Sequence, residues 1–236
     1  MLESSGVVSR RDLAKPSLKQ ILGTLRKQVL VGKSYVNLAN GLLQADPVIL
    51  QTAPTFFGLT MDGSLELAQM TVARLYDKRK GTLTVERMLA QASQNIDSFQ
   101  RGDQQQVRAN IAKAEQVVLG LKPVVDAIRL RRNEWLAHID PETVANSEAL
   151  SAKAKLTIPD LERALKETEG ILVELSSLYE GTTGDLYFIG GDDYKAALNS
   201  IRLAKCAAIE DYEKESGETY TGPRPKDCSR GKFDPL

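Results

Sequence analysis

SLKQILGTLRKQVLVGKSYVNLANGLL (residues 17–43) is the stretch of sequence that decides the fold class. Apolar residues recur along it at intervals of three and four, after a serine that is suited to capping a helix N-terminus. These apolar residues are Leu18, Ile21, Leu22, Leu25, Val29, Leu30, Tyr35, Val36, Leu38, Ala39, Leu42 and Leu43. Because this is the spacing of one helix face, the stretch predicts a long amphipathic α-helix packed on a hydrophobic core.

The same spacing returns through most of the chain, interrupted by turn-forming residues. The predicted further helices span residues 64–76, 84–99, 103–140, 157–179 and 193–214, with a short segment at 48–53. Residues 181–193 hold four glycines and predict a turn-rich insertion. The fold class predicted is therefore all-α, an up-and-down helical bundle with extra helices and a Gly-rich insertion.

Three stretches are predicted to depart from regular helix. Residues 52–62, with an aromatic pair and a proline, predict an apolar loop docked on the bundle. Pro123 falls inside a helical pattern, so a kink or short break is expected between Leu119 and Pro123. The charged run at 77–80 predicts a solvated turn, with contact to RNA phosphates as the alternative.

The domain organisation predicted is one helical domain over residues 17–215, between a flexible arm (1–16) and a tail (216–236). Hydrophobic residues make up 42% and charged residues 26%, as in ordinary globular proteins. Lys plus Arg equals Asp plus Glu at 31 each, so any attraction to nucleic acid must be local.

Location and redox state are predicted from what the chain lacks. It shows neither the apolar core of a signal peptide nor a membrane-spanning run, so we expect a cytoplasmic protein. Cys206 lies in a helical pattern and Cys228 in a polar tail, which does not indicate a disulfide framework. We expect a buried thiol and a surface thiol.

The stretch RRNEWLAHID (residues 131–140) holds the single histidine and the single tryptophan of the chain. Histidine titrates near neutral pH, so His138 is the candidate for proton transfer. Arg132 is a permanently charged planar donor suited to phosphate, and Asn133 directly after it supplies an amide. The pattern to be explained is therefore Arg132-Asn133-x4-His138.

Cleavage of RNA without a metal requires a base, an acid and a cation that faces the charge on phosphorus. One histidine cannot be base and acid at once, whereas a twofold homodimer supplies two copies of the same patch. On one helix, Arg132 and His138 would lie about 9 Å apart along the axis and roughly 120° apart around it. The pattern thus predicts a homodimer with a composite site.

The motif resembles the Rx4-6H signature of the HEPN-domain ribonucleases. The all-helical pattern, with "LAHID" and "ARLYDKRKGTLTVERML" (residues 73–89), looks like the AbiU-type branch, which is associated with phage abortive infection. The resemblance implies a HEPN-like bundle and a metal-independent endoribonuclease without cofactor. It also implies an RNA substrate, products with 5'-hydroxyl and 2',3'-cyclic phosphate or 3'-phosphate ends, and an antitoxin protein as a further partner.

Neighbouring residues of the motif have candidate supporting roles. Arg129 and Arg131 are candidates for binding RNA phosphates, although pairing with surface carboxylates explains them equally well. Glu134 and Asp140 are candidates for orienting the histidines, and Asp140 also suits a turn before proline. No metal-ligand spacing is present, and no metal is expected.

The alternative function is a catalytically inactive helical module that binds a nucleotide or a partner. In that interpretation His138 caps the C-terminus of a helix, where a cation interacts favourably with the helix dipole.

Overall fold

The computed structural model describes residues 16–79, 81–132, 154–181 and 192–228. These residues form α-helices and connecting turns, with no β-strand among them. The helices are α1 (Leu18–Gln44), α2 (Pro47–Leu50), α3 (Pro54–Leu75), α4 (Val85–Gln94), α5 (Gln104–Arg131), α6 (Ile158–Glu180) and α7 (Asp193–Ser216). The all-α helical bundle predicted from the sequence is confirmed.

Helix α1 lies at the centre of the bundle and packs along both α3 and α6. Ser17 and Gln20 form a reciprocal capping box that fixes where α1 begins. Most of the apolar face identified in the sequence is buried, with Leu25 and Val29 fully inaccessible to solvent, whereas Leu43 is 53% exposed. Burial of this face beneath α3 and α6 stabilises the bundle, because the hydrophobic effect scales with the apolar area removed from water.

Helix α3 begins at Pro54, so the predictions of a loop over residues 52–62 and of a helix start at Ser64 were wrong. Proline suits the first turn of a helix, because its missing N–H would have no helical partner there. Phe57 is buried and belongs to a small apolar cluster with Leu42, whereas Phe56 is 63% exposed. Half of the aromatic pair therefore packs in the interior.

Helix α5 runs through Pro123, so the short break expected as one possibility between Leu119 and Pro123 does not occur. Proline at 123 leaves the carbonyl of Leu119 without its helical donor. Both residues are exposed, and Leu119 is 61% accessible, so water can bind this carbonyl. The helix is therefore continuous from Val107 and Ile111, which pack in the core, to its basic C-terminal end.

Helix α4 is shorter than the helix predicted over residues 84–99. Thr84 caps it as expected, accepting a hydrogen bond from the N–H of Arg87. The helix ends at Gln94, and a 3-10 turn, Ile96–Ser98, follows.

The C-terminal residues fold back on α7 and are covalently joined to it. Cys206 and Cys228 form a disulfide, so the prediction of two separate thiols was wrong. Gly217 adopts a left-handed conformation at the end of α7 and reverses the chain, which brings the two Cα atoms to 5.4 Å. Reversals of this kind cannot be deduced from cysteine spacing alone.

The returning segment also contacts α2 and the first half of α7. The N–H of Lys226 donates to Asp46, the N-cap of α2, at 2.6 Å, and Arg202 donates to the carbonyl of Asp227 at 2.7 Å.

No helix in the described part of the chain combines the length and the apolar character that a membrane span requires.

Removing the disulfide is expected to destabilise the protein. The bridge closes a loop with a sequence separation of 22 residues, and loops of this size contribute about 3 kcal/mol by restricting the unfolded chain. Cys228→Ser should lower the free energy of unfolding by about 2–4 kcal/mol in urea. Titration of two free thiols in the denatured, unreduced wild type would contradict the pairing.

Two glycines of the same helix offer a matched test of the α1 core. A Cβ at Gly32 would lie 2.7 Å from Leu165 Cδ2 and 3.1 Å from Thr71 Cγ2, whereas a Cβ at Gly23 meets nothing within 4 Å. Gly32→Ala should lower the free energy of unfolding by about 1–3 kcal/mol through overpacking. Gly23→Ala should raise it by about 0.5–1 kcal/mol through helix propensity. Equal effects of the two substitutions would contradict the packing described.

Candidate active site

The basic end of α5 carries the first residue of the sequence motif. Arg132 follows the last α-helical residue and keeps helical backbone angles, and its N–H donates to the carbonyls of Ile128 and Arg129. Arginines are stabilised at this end of a helix because the dipole leaves partial negative charge there. The sequence thus places Arg129, Arg131 and Arg132 on the final turn and cap of one helix.

The buried carboxylate of Asp77 lies beside Arg132. Asp77 comes just after α3, and its side chain is only 6% exposed. Its Oδ2 accepts a 2.7 Å hydrogen bond from Arg79 Nε and lies 4.0 Å from Arg132 Nη1, while Oδ1 accepts from the N–H of Arg79 at 3.1 Å. These contacts hold the pKa of the Asp77 carboxyl below its usual value, chiefly through the side-chain hydrogen bond from Arg79.

Arg129 attaches the same turn to α5. Its Nη2 donates to the carbonyl of Tyr76, and its Nη1 pairs with Asp126 at 3.2 Å. The side chain is 20% exposed. Arg129 therefore joins the end of α5 to the residue that precedes Asp77.

Tyr76 anchors the turn in the core, and its phenol is protonated at neutral pH. Its hydroxyl lies 2.6 Å from Thr168 Oγ1, and Thr168 in turn donates to the carbonyl of Ala164. Because the single proton of Thr168 is engaged there, Tyr76 donates to Thr168. Burial raises the pKa of Tyr76 to about 12, so the phenol stays protonated.

A further arginine reaches the turn from α4. Arg87 Nη1 donates to the carbonyl of Thr82 at 2.6 Å, and its Nη2 donates to the carbonyl of Arg79 at 2.9 Å. In the part of the chain that the structure describes, Arg87 forms no ion pair with a carboxylate. The turn thus gathers guanidinium groups from α4, from α5 and from its own sequence.

Arg131 connects the end of α5 to residues that precede α6. Its Nε donates to the carbonyl of Ala154 at 2.8 Å, and Ala154 is fully buried. The end of α5 is therefore in direct contact with Ala154, which lies shortly before α6.

The structure brings three of the candidate site residues, Arg129, Arg131 and Arg132, to one corner of the bundle. The other candidates, Asn133, Glu134, His138 and Asp140, lie outside the described residues. Sequence reasoning did not identify Asp77, Arg79 or Arg87 as site residues. The signal available is the charged run at 77–80, for which the sequence favours a solvated turn over contact with RNA phosphates.

A concave surface lies between α5 and α6. It has a volume of about 640 Å³ and is lined by residues including Gln106, Asn110 and Val117. An ion pair between Lys113 and Glu174, 3.1 Å long, also lies in this groove. Within the described ranges, no group of three or more His, Cys, Asp or Glu side chains is arranged to hold a metal ion.

Neutralising Asp77 is expected to destabilise the fold in a pH-dependent way. Its pKa is lowered in the folded protein, so its contribution is present above the ordinary value of 3.8 and is lost as the pH falls through the folded pKa. Asp77→Asn should therefore lower the free energy of unfolding at neutral pH, and the difference from wild type should narrow below pH 3.8. Denaturant titrations across this range measure both effects.

Asp126→Asn is the control, since Asp126 is 50% exposed and pairs with Arg129 of the same cluster. Its effect should stay within about 1 kcal/mol, as is usual for exposed ion pairs. A difference for Asp77→Asn that does not change with pH would contradict the ionic role of this carboxylate.

Most of the chain, including this corner, matches a known protein family. The family model HEPN AbiU2, described as AbiU2, matches residues 17–199, from the N-cap of α1 into the first turns of α7. No curated protein and no solved structure gives a significant match. The matched region includes the turn at Asp77 and the whole of α5, and it ends before the disulfide-linked residues. The chain belongs to the HEPN AbiU2 family.

Proposed function

We propose that this protein is a metal-independent endoribonuclease of the HEPN type that acts in the cytoplasm as an abortive-infection toxin. The observation that carries the proposal is Arg132, which stands at the end of α5 beside the buried carboxylate of Asp77. A family match across most of the chain supports the assignment. The substrate is RNA, and no cofactor or metal takes part.

The chemistry assigns one task to each residue of the motif. Arg132 stabilises the negative charge that builds on the phosphorus oxygens in the transition state. His138 of one protomer removes the 2'-OH proton as the base. His138 of the other protomer protonates the departing 5'-oxygen as the acid. Asn133 orients the phosphate through its amide.

Residues near the motif complete the proposed site. Arg129 and Arg131 bind phosphates of the RNA that flank the scissile linkage. Glu134 and Asp140 orient the imidazole rings, because a carboxylate on one ring nitrogen fixes the role of the other.

Homodimerisation supplies the second histidine. The sequence encodes one histidine, and a twofold axis that brings two copies of the α5 end together provides both an acid and a base. An antitoxin protein that covers this corner is the proposed regulatory partner.

The second candidate function is a catalytically inactive helical module that binds a partner or a nucleotide. The observation in its favour is that Arg129 and Arg131 donate to the carbonyls of Tyr76 and Ala154 in their own fold. Such contacts are expected of arginines whose role is only to hold the end of α5 against neighbouring segments. Growth arrest on expression, relieved by His138→Ala, is expected of the ribonuclease and not of the inactive module.

RNA cleavage in EDTA tests the proposal. The wild type should cut single-stranded RNA, and Arg132→Ala or His138→Ala should lower kcat by about 10²–10⁴-fold, since each removes a transition-state interaction. Arg108→Ala is the matched control, because Arg108 is an exposed arginine about 36 Å from Arg132 along α5. It should cleave like the wild type.

Two outcomes decide against the proposal. Equal activity of the wild type, Arg132→Ala and His138→Ala would show that the motif residues take no part in RNA cleavage. A strict monomer by light scattering, under conditions in which RNA is cleaved, would remove the composite site.

A further inference from the structure

The exposed guanidinium of Arg79 shares a carboxylate oxygen with the motif arginine. Nη2 of Arg79 lies 2.7 Å from Asp77 Oδ2, and Nη1 of Arg132 lies 4.0 Å from the same atom. We propose that Arg79 is a further phosphate-binding residue, positioned by Asp77 to bind the RNA backbone next to the phosphate at Arg132. This inference rests on the proposed function, because it assumes an RNA substrate.

The geometry of the Asp77 contact leaves half of the Arg79 guanidinium available. Asp77 occupies the edge formed by Nε and Nη2. Within the described residues, Nη1 of Arg79 forms no hydrogen bond. A guanidinium has five N–H donors, so its outer edge can still bind phosphate with two hydrogen bonds.

Exposure distinguishes Arg79 from the other arginines of this corner. Its side chain is 74% exposed, compared with 23% for Arg132 and 20% for Arg129. Arg129 and Arg131 donate to main-chain carbonyls, which holds both guanidiniums against the bundle. A flexible strand of RNA approaching Arg132 therefore meets Arg79 as the most accessible of these cations.

The balance of charge at the turn favours an anion. The carboxylate of Asp77 contacts both Arg79 and Arg132, so the exposed Arg79 shares its counter-ion with a second cation. Arg87 binds two carbonyls of the same turn and adds a further cation. Glu86 and Glu167 lie close enough to influence Tyr76, yet neither is paired with these guanidiniums in the described part of the chain. Local positive charge is what RNA binding requires of a chain with no net charge.

The role of Asp77 in this arrangement is positioning. A carboxylate between two guanidiniums fixes their separation and orientation, because each is drawn to the same oxygen. Its burial keeps water from weakening these contacts. Asp77 itself stays behind the two arginines and does not contact the substrate.

Binding of a non-cleavable RNA tests the inference. A 2'-O-methyl oligonucleotide is titrated against the wild type, Arg79→Ala, Arg79→Lys and Arg108→Ala by fluorescence anisotropy over a range of salt concentrations. Arg79→Ala should weaken binding about tenfold, the loss expected for a charged hydrogen-bonding pair. The slope of log K against log salt should become shallower by about 0.7, corresponding to one phosphate contact on a single strand.

The controls separate charge from geometry. Arg79→Lys should keep the salt slope, because the charge remains, and should regain only part of the affinity, because lysine lacks the planar fork. Arg108→Ala, an exposed arginine far along α5, should match the wild type in both respects. Thermal unfolding of each variant checks that loss of the Arg79 contact has not unfolded the turn.

Cleavage kinetics give a second readout. Binding of a neighbouring phosphate helps the ground state and the transition state alike, so Arg79→Ala should raise KM about tenfold and leave kcat within about threefold. Arg132→Ala should act on kcat instead. A wild-type affinity, salt slope and KM for Arg79→Ala, in a protein that cleaves RNA, would overturn the inference and leave the proposed function standing. A wild type that neither binds nor cleaves RNA would overturn both.

Discussion

The carboxylate of Asp77 is buried beside the guanidinium groups of Arg79 and Arg132, and it connects the turn after α3 to the C-terminal end of α5. Removing a charge from water is costly unless it is paired and hydrogen-bonded, so Asp77 requires Arg79 and Arg132 to stay close. Arg129 adds a bond to the carbonyl of the preceding residue, Tyr76. The turn after α3 and the last turn of α5 therefore behave as one unit.

The helical bundle explains why this unit can be rigid. Tyr76 places its ring in the core and donates to Thr168 on α6, so the turn is tied to a third helix. Helix α5 reaches the corner without interruption, and its buried residues hold its register against the core. Preorganised cations of this kind suit a reaction in which charge develops on phosphate, because they need no rearrangement when the charge appears.

Local patterns in the sequence predicted most of the fold, and contacts between distant residues account for what they missed. Periodicity identified α1, and capping residues such as Thr84 and Thr157 marked helix starts. Local sequence patterns failed at Pro54, where aromatic and glycine residues resembled a loop. They also failed at the Cys206–Cys228 disulfide, which depends on a chain reversal at Gly217. Residue chemistry selected Arg132 as a site residue. Asp77 and Arg79 were missed because only the packing of α3 against α5 brings them to it.

The chemistry proposed for this corner is tested most directly by the ends of the cleaved RNA. An end-labelled oligonucleotide is cut by the full chain in EDTA, and the termini are identified by mass spectrometry. Attack of the 2'-oxygen on its own phosphodiester expels the 5'-oxygen, so the account predicts 5'-hydroxyl ends together with 2',3'-cyclic phosphate or 3'-phosphate ends. Products with 5'-phosphate and 3'-hydroxyl ends would contradict it, because they require water as the nucleophile.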